Sequence, residues 1–519
     1  MSVSTTQPTV AELLNDFVDA APGRVDTEFL RLAGAVWDEG RLTGAALAAT
    51  PEIVAALDRV DDDRKGYLIV LLGLLADAEY PAAGEVTAAV RAGLGRYLDL
   101  VARAEKGRPL TLALLYLLSH FPGDRDRVLA AVERLELDPG DLTRLDRGLK
   151  ELDLGAPDLG RVWPSPSVWK LTEEELEFDR EWISTLTDAQ ITKNWENDTR
   201  TMLGYSGAKA YWAVRYGTPV EVADTAPPAA PPAPAEAPAE DGTELFTRYA
   251  DVLRCPACSG ELEFHQQAVR CPACATRYPV ARGILDLSEG VSESAADVPH
   301  EATANLLAKL AEMPSMGLYY ESVLRPAFLR IAGANWGGAV TPADEDGYIA
   351  RQIKPVDGPV LDLAAGAGRW TTVVAGTVGQ DRLIALDMGL PMLTVLRGKL
   401  PRVPAVRASA LDIPFGDATL GAVNCWNALQ AFPDDAARAI AEVGRVLRPG
   451  GTFTLMTFLF DDDPIAKYFQ ESHFFPSRPE GMLLFTMDEI ERWLADAGMS
   501  IVDASGPGTF AFITAVRDR

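Results

Sequence analysis

Four of the five cysteines stand in two C-x-x-C pairs, Cys255-Pro256-Ala257-Cys258 and Cys271-Pro272-Ala273-Cys274, with twelve residues between the pairs. Each pair sets two thiols on one knuckle turn, and the interval suits a hairpin that brings the knuckles together. Four thiolates complete a tetrahedral Zn2+ site with no open position, so the expected role of the metal is structural. Met1 to Val10 has neither a basic start nor an apolar core, so no export signal argues for disulfides instead. A second group of residues carries carboxylate chemistry. Pro359-Val360-Leu361-Asp362 is a short apolar run ending in an acid, and small residues follow at Ala364, Gly366 and Gly368. A turn of this kind after a strand lets backbone approach a nucleotide-like ligand closely. Its spacing differs from the G-x-G-x-x-G of a dinucleotide fingerprint. Arg382 to Asp387 is another apolar run ending in an acid, well placed to accept hydrogen bonds from a ribose diol.

Asp362 to Gly368 resembles the first motif of the class I S-adenosylmethionine-dependent methyltransferases, roughly (D/E)-x-G-x-G-x-G, with Ala364 in place of the first glycine. Asp387-Met388-Gly389-Leu390-Pro391-Met392-Leu393 is similar to that family's D-x-S-x-x-M-L pattern. Ala410 to Phe415 resembles its stretch near the adenine, Asn424 to Asp434 its fourth-strand motif, and Arg445 to Gly451 the turn before its fifth strand. The resemblance covers about residues 315–519. It implies a seven-stranded, Rossmann-like α/β sheet with strands near 359–363, 382–387, 404–408, 420–425, 451–457, 499–505 and 508–516. It also implies S-adenosylmethionine as cofactor, held by Asp362, Ala364, Gly366, Gly368, Asp387, Met388, Asp412, Ile413 and Trp426, with the ribose on Asp387. A helix over 304–332 would form a lid, with Tyr319 and Tyr320 closing over the methionine end. Arg277 to Leu287 resembles the last strand of Trm112-type zinc ribbons. Such a ribbon precedes the methyltransferase domain in bacterial large-subunit rRNA guanine methyltransferases, where Arg254, Arg270, Arg277 and Arg282 would face RNA. Ion pairs with acidic neighbours are the favoured use of these arginines.

Methyl transfer needs alignment and exclusion of water, with a base only when the acceptor must lose a proton early. His473, in the insertion Phe458 to Pro479, is the base candidate. The N/D-P-P-Y/F motif of amino-group methyltransferases of nucleic acid bases is absent, and Asn424-Cys425-Trp426-Asn427 stands in its place.

The elements that position these residues sit in a chain of 519 residues, long enough for several domains. The expected division is a helical region over 1–155, a tryptophan-rich extension over 156–218, a linker over 219–242, the ribbon over 243–290 and the methyltransferase domain over 300–519. The stretches around Leu68–Ala76 and Leu112–Phe121 resemble each other about 43 residues apart, which fits HEAT-like helix pairs or a plain bundle. His120 reads as a helix C-terminal group. Five tryptophans (Trp163, Trp169, Trp182, Trp195 and Trp212) either pack the extension or line a surface. The linker has seven prolines, five acids and no basic residue, so it cannot bury a core and implies separately folded halves.

The net charge is −27, of which −12 lies in 1–218 and −1 in the ribbon region 243–290. An acidic chain repels phosphate backbones, so a large nucleic-acid footprint is not expected. No apolar run reaches the roughly 18–20 residues of a membrane span, and the expected location is cytoplasmic. Three function classes follow. The favoured one transfers methyl to a small-molecule, natural-product or peptide acceptor chosen with help from the helical region. The others are an rRNA or tRNA methyltransferase gripping RNA through its ribbon, and a scaffold that keeps the cofactor fold without transfer.

Overall fold

The computed structural model describes residues 8–158, 173–218, 220, 242–265, 268–288, 325–432, 435–472 and 484–519. The chain divides into two compact units.

The first unit is helical. Asp62–Asp77 opens with charges, caps itself through the Asp61 side chain on the Arg64 amide, and is apolar on every side thereafter. A helix apolar all round must be surrounded, and every residue from Gly66 to Asp77 is buried. Pro109–Leu118 behaves the same way, buried from Thr111 onward. These two look-alike helices pack on each other and on the 29-residue helix Asp188–Tyr216. Close approach depends on two glycines. A Cβ at Gly73 would meet the Tyr116 ring at 2.3 Å, and one at Gly207 would meet the Phe469 ring at 2.3 Å. Trp182 and Trp195 are buried, so they pack the unit, while Trp163 and Trp169 lie outside the described residues. His120 ends its helix with Nδ1 3.1 Å from the Tyr116 carbonyl oxygen.

The division of this unit departs from the expected one. Ala327–Gly337 and the stretch beginning at Asp461 belong to it, although both fall inside the expected methyltransferase domain. Asp463 caps the helix Pro464–Glu471 and also accepts a 2.6 Å bond from the Tyr211 hydroxyl. The Tyr468 hydroxyl donates to Asp77 at 2.8 Å, and the Phe469 ring meets Tyr116 edge-on at 5.7 Å. Gln470 donates to the Ala332 carbonyl at 2.6 Å. The proline-rich linker is therefore not a single divide between two halves.

Among the described residues, the second unit is built on an eleven-stranded sheet. In chain order its strands are β1 (Glu263–His265), β2 (Ala268–Arg270), β3 (Arg277–Ala281), β4 (Ile284–Asp286), β5 (Val360–Leu363), β6 (Leu383–Asp387), β7 (Ala405–Arg407), β8 (Leu420–Trp426), β9 (Leu447–Phe458), β10 (Met499–Ser505) and β11 (Phe510–Arg517). Across the sheet they run β10-β11-β9-β8-β5-β6-β7-β4-β3-β2-β1. The strands from β4 and β7 through β9 pair in parallel, and β11 is antiparallel to both of its neighbours. β5 and β8 are buried at every position, as parallel strands covered on both faces must be. Seven strands fall close to their expected positions. β9 starts earlier than expected because Leu447 pairs with Leu420 before the register shifts to Ala422 opposite Thr452.

The ribbon is not a detached module. β4 pairs in parallel with β7, Leu285 opposite Val406, and so extends the parallel sheet. Asp286 and Arg407 form an ion pair at 2.9 Å across this seam. Upstream, Leu253 bridges to Phe415, the Arg254 amide donates to the Pro414 carbonyl, and Gly416 donates back to Val252.

Candidate functional site

The strand order reverses at β5, which has β6 on one side and β8 on the other. In open parallel sheets this switch point opens a crevice beyond the carboxyl ends of the strands. The turn leaving β5 supplies its floor. Ala364, Gly366 and Gly368 all have positive φ, at +55°, +52° and +86°. A Cβ at Gly366 would meet nothing within 4 Å, so space is open above it, whereas one at Gly368 would press on Leu396 at 2.9 Å. Gly368 is the N-cap of the helix Arg369–Val378 and provides no side-chain cap, so first-turn amides are left for another acceptor.

Two carboxylates frame the turn. Asp387 ends β6, and its oxygens accept from the Gly366 amide at 2.8 Å and the Gly389 amide at 2.7 Å. Burial raises its pKa, and these backbone bonds work the other way. Asp362 lies opposite Asn424 in the β5–β8 ladder, which brings the Asn424 amide nitrogen 2.7 Å from one oxygen. Thr371 donates to the other oxygen. Full burial pushes Asp362 up to about 6 despite both bonds. Nearby, Met388 is 49% exposed, Asp412 is exposed, and Ile413 is buried with its amide on Glu442 at 2.8 Å.

Trp426, expected to touch the cofactor, is the last residue of β8. It is buried between Tyr348 and Phe512, and its indole N–H donates to Glu345 at 2.9 Å. Its role is to pack the end of β8 and hold Glu345, which is also paired with Arg325. The next residue, Asn427, has φ +58° and is also buried. Tyr319, Tyr320 and His473 lie outside the described residues. Arg325, Glu345 and Trp370 carry no expectation as site residues from the sequence, although Trp370 stands two residues past the small-residue turn and Arg325 falls in the expected lid helix.

In the ribbon, one Sγ atom from each of Cys255, Cys258, Cys271 and Cys274 lies within 4.8 Å of all the others. Cys255 and Cys274 are 3.6 Å apart and Cys258 and Cys271 are 3.4 Å apart. Zn–S bonds of about 2.3 Å around a tetrahedron give S–S edges of about 3.8 Å, so the four sulfurs fit that ion. The Tyr278 hydroxyl lies 3.0 Å from Cys255 Sγ, and the Thr276 hydroxyl 3.2 Å from Cys274 Sγ. Such donors soften the charge that four thiolates concentrate. The side chain of His265 is exposed. Arg254 bonds the carbonyls of Asp251 and Leu253, and no ion pair forms at Arg270, Arg277 or Arg282 among the described residues. The favoured salt bridges are therefore not the use made of them.

An open doubly wound sheet with an acid at or beside the carboxyl end of β5 and of β6 defines a Rossmann-like fold. Residues 360–451 match the family described as a methyltransferase domain. An uncharacterized chloroplastic methyltransferase of Arabidopsis thaliana is 31% identical over 30% of this chain and 45% of its own length. An uncharacterized methyltransferase of Mycobacterium tuberculosis is 43% identical over 19% of this chain and 38% of its own. The demethylmenaquinone methyltransferase of Lactiplantibacillus plantarum is 34% identical over 21% and 48%. The chain thus spans less than half the length of each of these relatives. A solved complex between the Haloferax volcanii Trm112 methyltransferase activator and a methyltransferase is similar over 34% of this chain and 88% of that one, at 18% identity and a TM-score of 0.30. Among the described residues, no helix is long and apolar enough to cross a membrane.

Proposed function

We propose that the protein is an S-adenosylmethionine-dependent methyltransferase acting on a small or peptide-sized acceptor. The observation that carries this reading is the Asp387 carboxylate, fixed by two glycine amides at the strand switch point beside an open glycine turn. When bound, S-adenosylmethionine supplies a methyl group already activated on a sulfonium. The chain's own residues supply the rest. Asp387 accepts from the ribose hydroxyls with lone pairs that its glycine bonds leave free. The left-handed turn at Ala364, Gly366 and Gly368 brings backbone against the ligand. Met388 offers apolar surface to the adenine, Asp412 offers an acceptor beside it, and the buried Ile413 packs behind them. Asp362 holds the turn through Thr371 and Asn424 rather than reaching the ligand.

Cys255, Cys258, Cys271 and Cys274 would hold one structural Zn2+, fixing a ribbon whose last strand lies in the same sheet. The −27 charge weighs against RNA as acceptor, because each phosphate contact would work against an acidic field. The helical unit is tied to the transferase chain through Ala327–Gly337 and the segment from Asp461, which supports a role in acceptor choice.

Calorimetry tests the cofactor reading. Asp387→Ala removes a charged hydrogen-bond acceptor worth about 1.5–3 kcal/mol, so affinity for S-adenosylhomocysteine should fall roughly ten- to a hundredfold. An unchanged dissociation constant would refute the assignment. Untargeted mass spectrometry of a host expressing the protein should reveal a product heavier by one CH2. Tight binding of rRNA fragments that weakens steeply with salt would instead favour RNA.

A further inference from the structure

Asp286, Arg407 and Asp387 end three adjacent parallel strands, β4, β7 and β6, and stand in one row. Arg407 is opposite Asp286 on one side and opposite Asp387 on the other. Strands lie about 4.8 Å apart, so a guanidinium rooted on the middle strand can reach either acid. It is committed to one. Nη1 of Arg407 donates to Asp286 Oδ2 at 2.9 Å, and Nε donates to the Met388 carbonyl at 3.1 Å. Asp387 takes only backbone amides among the described residues, from Gly366 and Gly389. Asp286 is itself fixed, because its other oxygen accepts from the Ser288 amide at 3.0 Å and the Ser288 hydroxyl at 2.5 Å. Burial would raise the Asp286 carboxyl, but the Ser288 bonds and Arg407 together hold it below its usual range. The ribbon turn leading into β4 is tied down as well. Arg397, on the helix Leu390–Lys399 that follows Gly389, donates from Nε to the Arg282 carbonyl at 3.1 Å, and the Ala405 amide donates to the Gly283 carbonyl at 3.2 Å.

We infer that Asp286, a ribbon residue, is a positioning residue for the ribose acid: by holding the Arg407 guanidinium, it keeps Asp387 free of an ion pair and open to hydroxyl donors. The inference rests on reading Asp387 as the ribose acceptor. A guanidinium brings five N–H donors and a permanent charge. Its bonds to a carboxylate are stronger than those from a neutral hydroxyl. Without Asp286, the Arg407 guanidinium turns to the acid on its other side, and a ribose diol then has to displace it. The ribbon thus serves the cofactor site without touching the ligand.

The test is calorimetric titration of the full-length protein with S-adenosylhomocysteine. Asp286→Asn keeps the shape and the acceptor for Ser288 but drops the charge that holds Arg407, so binding should weaken about five- to twentyfold. Arg407→Met removes the competing guanidinium and loses only the Met388 bond, so binding should stay within about threefold of wild type. The double variant should match Arg407→Met and recover what Asp286→Asn alone loses, whereas a merely structural role for Asp286 predicts no recovery. In an Asp387→Ala background, Asp286→Asn should change affinity by less than about threefold, because its effect passes through Asp387. Should Asp286→Asn fail to fold, Asp286→Ser takes its place in the same cycle. Unchanged binding in Asp286→Asn while Asp387→Ala is weakened, or a double variant as weak as Asp286→Asn, overturns the inference. A wild type that does not bind, or an Asp387→Ala variant that binds as tightly as wild type, overturns the cofactor reading instead.

Discussion

Asp362→Asn should make the protein more stable at neutral pH, and the structure sets the size of the gain. Burial raises this carboxyl from 3.8 to about 6. A folded pKa above the unfolded one means the native state holds its proton more tightly. Stability from this group is therefore greatest at low pH and is lost as pH rises from about 4 to about 6. Two units at about 1.4 kcal/mol each amount to about 3 kcal/mol at pH 7.5. Asparagine fits the same place: its oxygen accepts from Asn424, and its amide donates to the Thr371 hydroxyl, which rotates to receive it. For a unit of this size, about 3 kcal/mol corresponds to roughly 6–12 °C in Tm. Thermal melts of wild type and variant from pH 4 to 8 should show nearly coincident Tm values at pH 4 and a gap opening by pH 7. A gap that is absent, or equally wide at both ends, would refute the reasoning.

Further expectations concern the metal, the turn and the interleaved helix. Elemental analysis of protein purified without chelator should find one zinc per chain, and Cys271→Ser should lose it. Tyr278→Phe should keep the metal but hold it roughly 10–100-fold less tightly in competition with a chromogenic chelator. Ala364→Gly relieves a left-handed alanine at +55°, and should raise stability by about 0.5–1 kcal/mol in thermal melts without weakening nucleoside binding. Phe469→Ala empties the space beside Gly207 and Tyr116 and should destabilise the helical unit by about 3–5 kcal/mol in denaturant melts followed by far-UV circular dichroism.

Local chemistry was readable in the sequence where it repeats at short range. The cysteine pairs, the small-residue turn and the two strand-ending acids all announce themselves within a dozen residues, and the strands around them lie close to where the pattern put them. Features set by distant pairing were not readable. β4 is three residues long, and nothing in Ile284-Leu285-Asp286 tells which sheet edge it joins. Helix Pro464–Glu471 lies in the insertion Phe458 to Pro479, and the bond from Tyr468 to Asp77 spans 391 positions. Trp426 was assigned to the ligand because it ends a strand. β8 is buried on both faces, however, so no alternation marks which side chains face the crevice. The next residue, Asn427, turns left-handed.

The interleaving also constrains how the chain can be made. Helices Asp62–Asp77 and Pro109–Leu118 leave the ribosome early, but the Tyr468 and Phe469 side chains they pack against are encoded about 350 codons later. At roughly 5–20 residues per second, synthesis of that interval takes on the order of 20–70 seconds. Throughout it, the Asp77 carboxylate lacks its Tyr468 partner, and the hollow at Gly207 lacks the Phe469 ring. The helical unit therefore cannot complete its native packing until the stretch from Asp461 has been made.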